Sequence, residues 1–204
     1  MKRTHSMVGR RRGARGSSLI EILVSLLILM VALLGLTGLM VQSQNSQLES
    51  YQRVQALALA QDMVSRINAN SAVASCYVLA SYLGTNSPLV SGTAATTNKA
   101  NVPQCTAGTA NQQARANQDL ADWHDLILGS AEVVGTNKVG AVLGARGCVS
   151  LIAGTTNEYQ VSVAWQGGGA TYAPPAGITC GKDLYGTDTQ RRAVSLPLHI
   201  TNLS

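Results

Sequence analysis

The side chains of this chain best suited to chemistry are a knot of acids around a histidine, four cysteines, and one glutamate inside an apolar run. Asp119, Asp122, His124 and Asp125 are the donor types of a metal or acid–base site. On a helix, however, Asp122 and Asp125 lie one turn apart while His124 points elsewhere. The knot therefore reads as a solvated helix face, and no metal or other cofactor is expected. Cys76, Cys105, Cys148 and Cys180 contain no C-x-x-C pair, which argues against structural zinc. An even count, all beyond the apolar run, points to disulfides in an oxidising compartment. A hydrolytic triad would have to draw on His5, His124 or His199, and the chain does not read as an enzyme. Gly167–Gly169 lacks the G-x-G-x-x-G spacing and leads into a proline-containing loop. Lys182, Arg191 and Arg192 could touch phosphates, but without interleaved aromatics they read as a solvated strand start. Contact with DNA is not expected.

The glutamate raises a sharper question. In "RRRGARGSSLIEILVSLLILMVALLGL", residues 10–36, Glu21 opens an apolar stretch. Ile22 to Val41 is twenty residues relieved only by Ser25, Thr37 and two glycines. Such a helix crosses roughly 30 Å of hydrocarbon. A carboxylate within a membrane helix costs about 2.5–3.5 kcal/mol at the centre and less near an end, and such groups are usually functional. The next basic residue is Arg53. If the chain is cut after Gly16, the new amino group of Ser17 becomes the natural cation for Glu21.

Charge distribution fixes the orientation of this segment. Six of the fifteen basic residues (Lys2, Arg3, Arg10, Arg11, Arg12, Arg15) precede Ser17, with no acid among them. The remainder holds nine basic residues against ten acidic ones, so the basicity is an N-terminal tag that keeps this end in the cytoplasm. A secretory signal would have a shorter apolar stretch followed by its small-residue cleavage site. Here the small residues Ala14, Gly16 and Ser17 come first. An uncleaved signal anchor is the simpler alternative, and it leaves Glu21 unexplained.

The elements that position these groups follow from periodicity. No Gly or Pro occurs from Leu39 to Leu83, and Val54, Leu57, Ala60, Val64 and Ile67 form an amphipathic stripe. Glu49–Arg53 and Asp62–Arg66 are acid-first i,i+4 pairs. These features predict one helix from about Ser17 to Asn68, roughly 75–80 Å long, with Gly35 and Gly38 as its weak point. Ser71 to Gln113 is rich in small polar residues, with Pro88 and Pro103 as breakers, and reads as a long surface loop. A second helix is expected at about Gln112–Leu128, burying Leu120, Trp123 and Ile127.

The last third reads as strands at about 148–153 and 158–166, separated by a turn at Gly154–Asn157. Tyr159, Val161, Val163 and Trp165 alternate with polar or small residues. Val194, Leu196, Leu198 and Ile200 alternate again, and Pro197 marks an edge strand. The fold class is α+β, an antiparallel sheet packed on the amphipathic half of the long helix. Four cysteines allow three pairings. The loop carrying Cys180 leaves from the end of the sheet where Cys148 begins its strand, which favours Cys148–Cys180 and leaves Cys76–Cys105.

"RG-SSLIEILVSLLILMVALLGL" resembles the class III signal of type IV prepilins, with Ser17 where most members carry Phe. "DLADWHDLI", "GARGCVSL", "YQVSVAWQG" and "CGKDLYGTDTQRRAVSLPLHI" are similar to minor pilins of the type IV pilus modification protein (PilV) family. The resemblance implies the type IV pilin fold. It also implies that a prepilin peptidase cuts between Gly16 and Ser17 and methylates Ser17, and that Glu21 pairs with the terminal amine of a neighbouring subunit. Residues 1–16 would then be a cleaved leader, 17–41 the transmembrane half of the helix, 42–70 its amphipathic half, and 71–204 a periplasmic head. The implied partners are the peptidase, other minor pilins, the major pilin, and the assembly platform at the inner membrane. The implied function is priming or supporting type IV pilus assembly, hence twitching motility and attachment. A minor pseudopilin of type II secretion shares the signal and fold. A signal-anchored periplasmic binding domain is the reading from another class.

Overall fold

The computed structural model describes residues 19–88, 105–129, 133–134, 137–138 and 142–201. Gly16 and Ser17, together with Pro103, lie outside the described residues. The chain divides into two units, Met1–Gln44 and Asn45–Ser204. Helix α1 spans Leu19–Ala69, close to the predicted bounds. In the first unit its large apolar side chains, Leu19 to Val41, are all between 50% and 76% exposed. Among the described residues none of this surface is buried, and a helix of this length and composition suits a hydrocarbon layer.

In the second unit α1 buries Ala56, Ala60, Met63 and Ile67, with Leu59 and Val64 packed alongside. The predicted stripe is corrected here, because Val54 is 66% exposed and Leu57 also faces outward. Ala60, Val64 and Ile67 of that stripe do face the core, Ala56 and Met63 join them, and the small side chains at 56 and 60 allow close approach. The fully buried Trp123 illustrates this: its indole N–H donates to the backbone oxygen of Leu59 at 2.8 Å. That contact both buries a large ring and satisfies its polar atom.

The stretch after α1 is a second correction. Ser71–Tyr77 forms a 3-10 segment, not a surface loop, and Val73, Ala74, Cys76 and Tyr77 enter the core. Strand β1, Leu83–Gly84, then joins the sheet. Residues 89–104 of the expected loop lie outside the described residues. Helix α2, Ala110–Ile127, begins at a capping box in which the Gln112 amide donates to Thr109 Oγ1 and Gln112 Oε1 accepts from the Thr109 amide. It buries Leu120, Trp123 and Ile127 as expected, and also Ala116 and Asp119.

Strands β2, Val133–Val134, and β3, Asn137–Lys138, make a small antiparallel pair. The main sheet adds β4, Arg146–Leu151, β5, Glu158–Gln166, and β6, Arg191–His199. Its order is β1-β4-β5-β6, antiparallel throughout. Pro197 lies on β6, an outermost strand, as its missing N–H requires. Tyr159, Val161, Val163 and Trp165 face the core, the predicted alternation. Gly147 carries a close approach: a Cβ there would lie 2.4 Å from the Trp123 ring and 2.5 Å from Ile127. Only glycine lets β4 sit this near α2. The long helix and the antiparallel four-stranded sheet make an α+β, pilin-like arrangement.

Candidate assembly site on the apolar helix

Glu21 stands in the first turn of α1, exposed among exposed apolar neighbours. The other polar side chains nearby satisfy themselves within the helix. Ser25 Oγ donates to the Glu21 backbone oxygen at 2.7 Å, and Thr37 Oγ1 donates to Leu34 at 2.9 Å. Such back-bonding removes the hydroxyl's demand for water. The Glu21 carboxylate has no equivalent, since no cation among the described residues pairs with it. From Ile22 to Leu48 the sequence contains no other ionisable Asp, Glu, Lys or Arg. A lone carboxylate, offered laterally on a lipid-suited surface, can accept a cation brought by another chain.

The motif around it is a known one. Residues 11–37 match the prokaryotic N-terminal methylation motif. This chain therefore carries a prepilin-type signal. The motif indicates a pilin-like or pseudopilin protein, and together with the apolar helix it suggests a membrane anchor; it implies processing by a prepilin peptidase and assembly into a pilus or pseudopilus. No curated protein and no solved structure matches the chain.

In the second unit the structure redistributes the remaining sequence candidates. Cys76 is bonded to Cys105 and Cys148 to Cys180. The knot on α2 is not a uniform solvated face. Asp119 is buried and receives three donors: Tyr77 Oη at 2.6 Å, Arg115 Nε at 3.1 Å and Arg66 Nη1 at 3.2 Å. Asp122 stays half-exposed and accepts from Gln118 at 2.6 Å. His124 turns to β1, where its Nδ1 accepts the Gly84 amide at 3.0 Å. Burial, and then the hydrogen bond to Asp119, push the Tyr77 phenol above its ordinary value. Burial alone would lower the Arg66 guanidinium, and the contacts with Asp62 and Asp119 outweigh it.

The basic trio also departs from the solvated reading. Arg191 is buried, makes two contacts to Asp188 at 2.6 and 3.0 Å, and donates to the backbone oxygens of Ile178 and Cys180. Its hydrogen bond holds the Asp188 carboxyl below the usual range. Arg192 pairs with Glu49 of α1 and donates to Thr189 and Gly169. Glu49 was expected to serve Arg53. Its long-range use was invisible because the partner lies 143 residues away. Lys182 alone of the three is exposed. Arg146, absent from the sequence candidates, is buried between the rings of Tyr185 and Tyr82, at 4.5 and 5.2 Å.

Proposed function

We propose that the chain is a minor pilin of the type IV pilus modification protein family, which primes or supports type IV pilus assembly at the inner membrane. The observation that carries this reading is Glu21, an exposed carboxylate without a cation among the described residues, on a helix surface otherwise suited to lipid. Cleavage between Gly16 and Ser17 makes Glu21 the fifth residue of the mature chain, one turn from its own new amine. The amine of a neighbouring subunit then pairs with Glu21, where a low dielectric makes the pair strong and its loss expensive. The head, residues 71–204, sits in the periplasm, where its two disulfides are stable. Its partners are other minor pilins, the major pilin and the assembly platform.

A minor pseudopilin would share all of these features, and a deletion strain separates the two. Loss of surface pili and of twitching with normal secretion supports the pilus role. A secretion defect with intact pili overturns it in favour of the pseudopilus. Mass spectrometry of the membrane-extracted protein should find an N-methylated Ser17 as its first residue. An intact leader would favour a signal-anchored binding domain instead.

A further inference from the structure

The face of the sheet opposite the core carries a cleft of about 320 Å³. By the alternation of the strands, Arg146, Cys148 and Ser150 of β4 share this face with their partners Ala164, Ser162 and Gln160 on β5. The segment around Ser81 and Tyr82 and the loop Thr179–Leu184 wall the cleft. The Cys148–Cys180 disulfide ties that loop to the floor. Seven polar side chains line it, those of Ser81, Tyr82, Ser150, Gln160, Ser162, Thr179 and Lys182. Tyr82 and Ser162 hydrogen-bond to Asn86 and Ser195, and among the described residues the other five side chains make no hydrogen bond to the protein. No carboxylate lines the cleft.

Lys182 puts a positive charge at one end of the cleft, and a carboxylate in its electrostatic reach, Asp188, is already paired with Arg191. Lys182 lines the cleft and is exposed to water. Behind Tyr82 lies Arg146, only 7% exposed, with one hydrogen bond to the Gly144 backbone oxygen and a buried Nε that has no hydrogen-bond partner. No carboxylate among the described residues pairs with it. A buried guanidinium held by two aromatic faces and one backbone oxygen, with no carboxylate, keeps its field largely uncancelled.

We propose that the cleft binds an anionic saccharide, a sugar acid whose carboxylate meets Lys182 and whose hydroxyls meet Ser150, Gln160 and Thr179. Hydroxyl and amide side chains recognise a polyol by reciprocal hydrogen bonds, while Tyr82, Leu79 and Leu184 offer apolar surface to the C–H face of a ring. An acidic peptide is a poorer fit. Peptides dock extended on open strand edges, and the edge of β4 beside this cleft is met by β1 at Arg146 and Gly147 and by the Leu79 amide at the Val149 backbone oxygen.

Titration of the full chain in detergent micelles with digalacturonate, neutral digalactose and a diaspartate peptide tests the proposal. Digalacturonate should bind, about tenfold more tightly than either control, and its affinity should fall as salt rises. Lys182→Ala and Gln160→Ala should each weaken it about tenfold. Both replace side chains outside the core, and retained disulfides and unchanged circular dichroism certify their folding. Absence of digalacturonate binding overturns the proposal. So does equal binding of either control, or unchanged affinity in either variant.

Discussion

In the apolar half of α1, large side chains from Leu19 to Val41 lie open, and one carboxylate sits among them with no cation among the described residues. In the second half, α1 buries small and medium side chains against α2 and the sheet, and charges that lose water gain partners. Asp119 meets Tyr77, Arg66 and Arg115. Arg191 meets Asp188 and two backbone oxygens. The same helix thus carries two policies for charge. Where the chain completes itself, the charges of Asp119 and Arg191 are answered from within, while Arg146 is held by the Tyr82 and Tyr185 rings. On the apolar half, under the proposed assembly role, the answer to Glu21 comes from another chain.

The largest effect on the head is expected from its disulfides. Replacing Cys148 and Cys180 by Ser releases a closed loop of 32 residues' separation. Loss of about 3–4 kcal/mol is expected by the chain-entropy estimate. Urea unfolding of the non-reduced variant measures it, and a loss below 1 kcal/mol would show that the loop is held mainly by Tyr185 and Arg191. Asp119→Ala should follow, at about 3 kcal/mol, because it strands the Tyr77 hydroxyl and leaves Arg66 and Arg115 one partner short. A smaller loss than that of Tyr77→Phe would mean that Asp119 is not the centre of this network. Glu49→Gln should cost about 1 kcal/mol, since Glu49 is half-exposed although Arg192 is largely covered. If Arg192→Ala costs nothing either, the pair does not help hold α1 to the sheet.

The pH dependence is a gentler probe. The Tyr77 phenol is raised in the fold, first by burial and then by Asp119. Its contribution is therefore complete below the ordinary tyrosine value of about 10 and is lost as pH rises beyond it. Asp188 is lowered by Arg191, so its contribution is present above the ordinary carboxylate range and fades as pH falls into and below it. Thermal unfolding from pH 3 to 11 should show both declines, and Tyr77→Phe should make the alkaline one shallower, the remainder belonging to Tyr159 and Tyr185, which burial also raises. An unchanged alkaline limb in that variant would contradict the assignment.

How much of this was legible in the sequence follows from the range of each interaction. Apolar period and breakers placed α1, α2 and the strands β4 to β6, because those signals are local. Gly16, Ser17 and Glu21 were singled out for the same reason, since a basic flank, a small residue and a carboxylate sit within a dozen positions. The core role of Ser71–Tyr77 was hidden, because a polar, alanine-rich stretch gives no period and its burial depends on α2. Asp119 looked like any exposed helix acid. Its i,i+4 relation to Arg115 was a visible hint, whereas Tyr77 lay 42 residues away in what read as a loop. Arg191 and Arg192 were misread as solvated because arginine runs usually are, and because Glu49 belongs to another element.

The claim that Glu21 awaits a neighbour is tested most directly by Glu21→Gln, a change that keeps size and removes charge. Cross-linked co-purification of wild-type and Gln chains with their membrane partners, normalised to processed protein, is the measurement. The account predicts normal cleavage at Gly16–Ser17 and normal membrane insertion, with about tenfold less of the Gln chain in the assembly. Wild-type recovery of the Gln chain would contradict it.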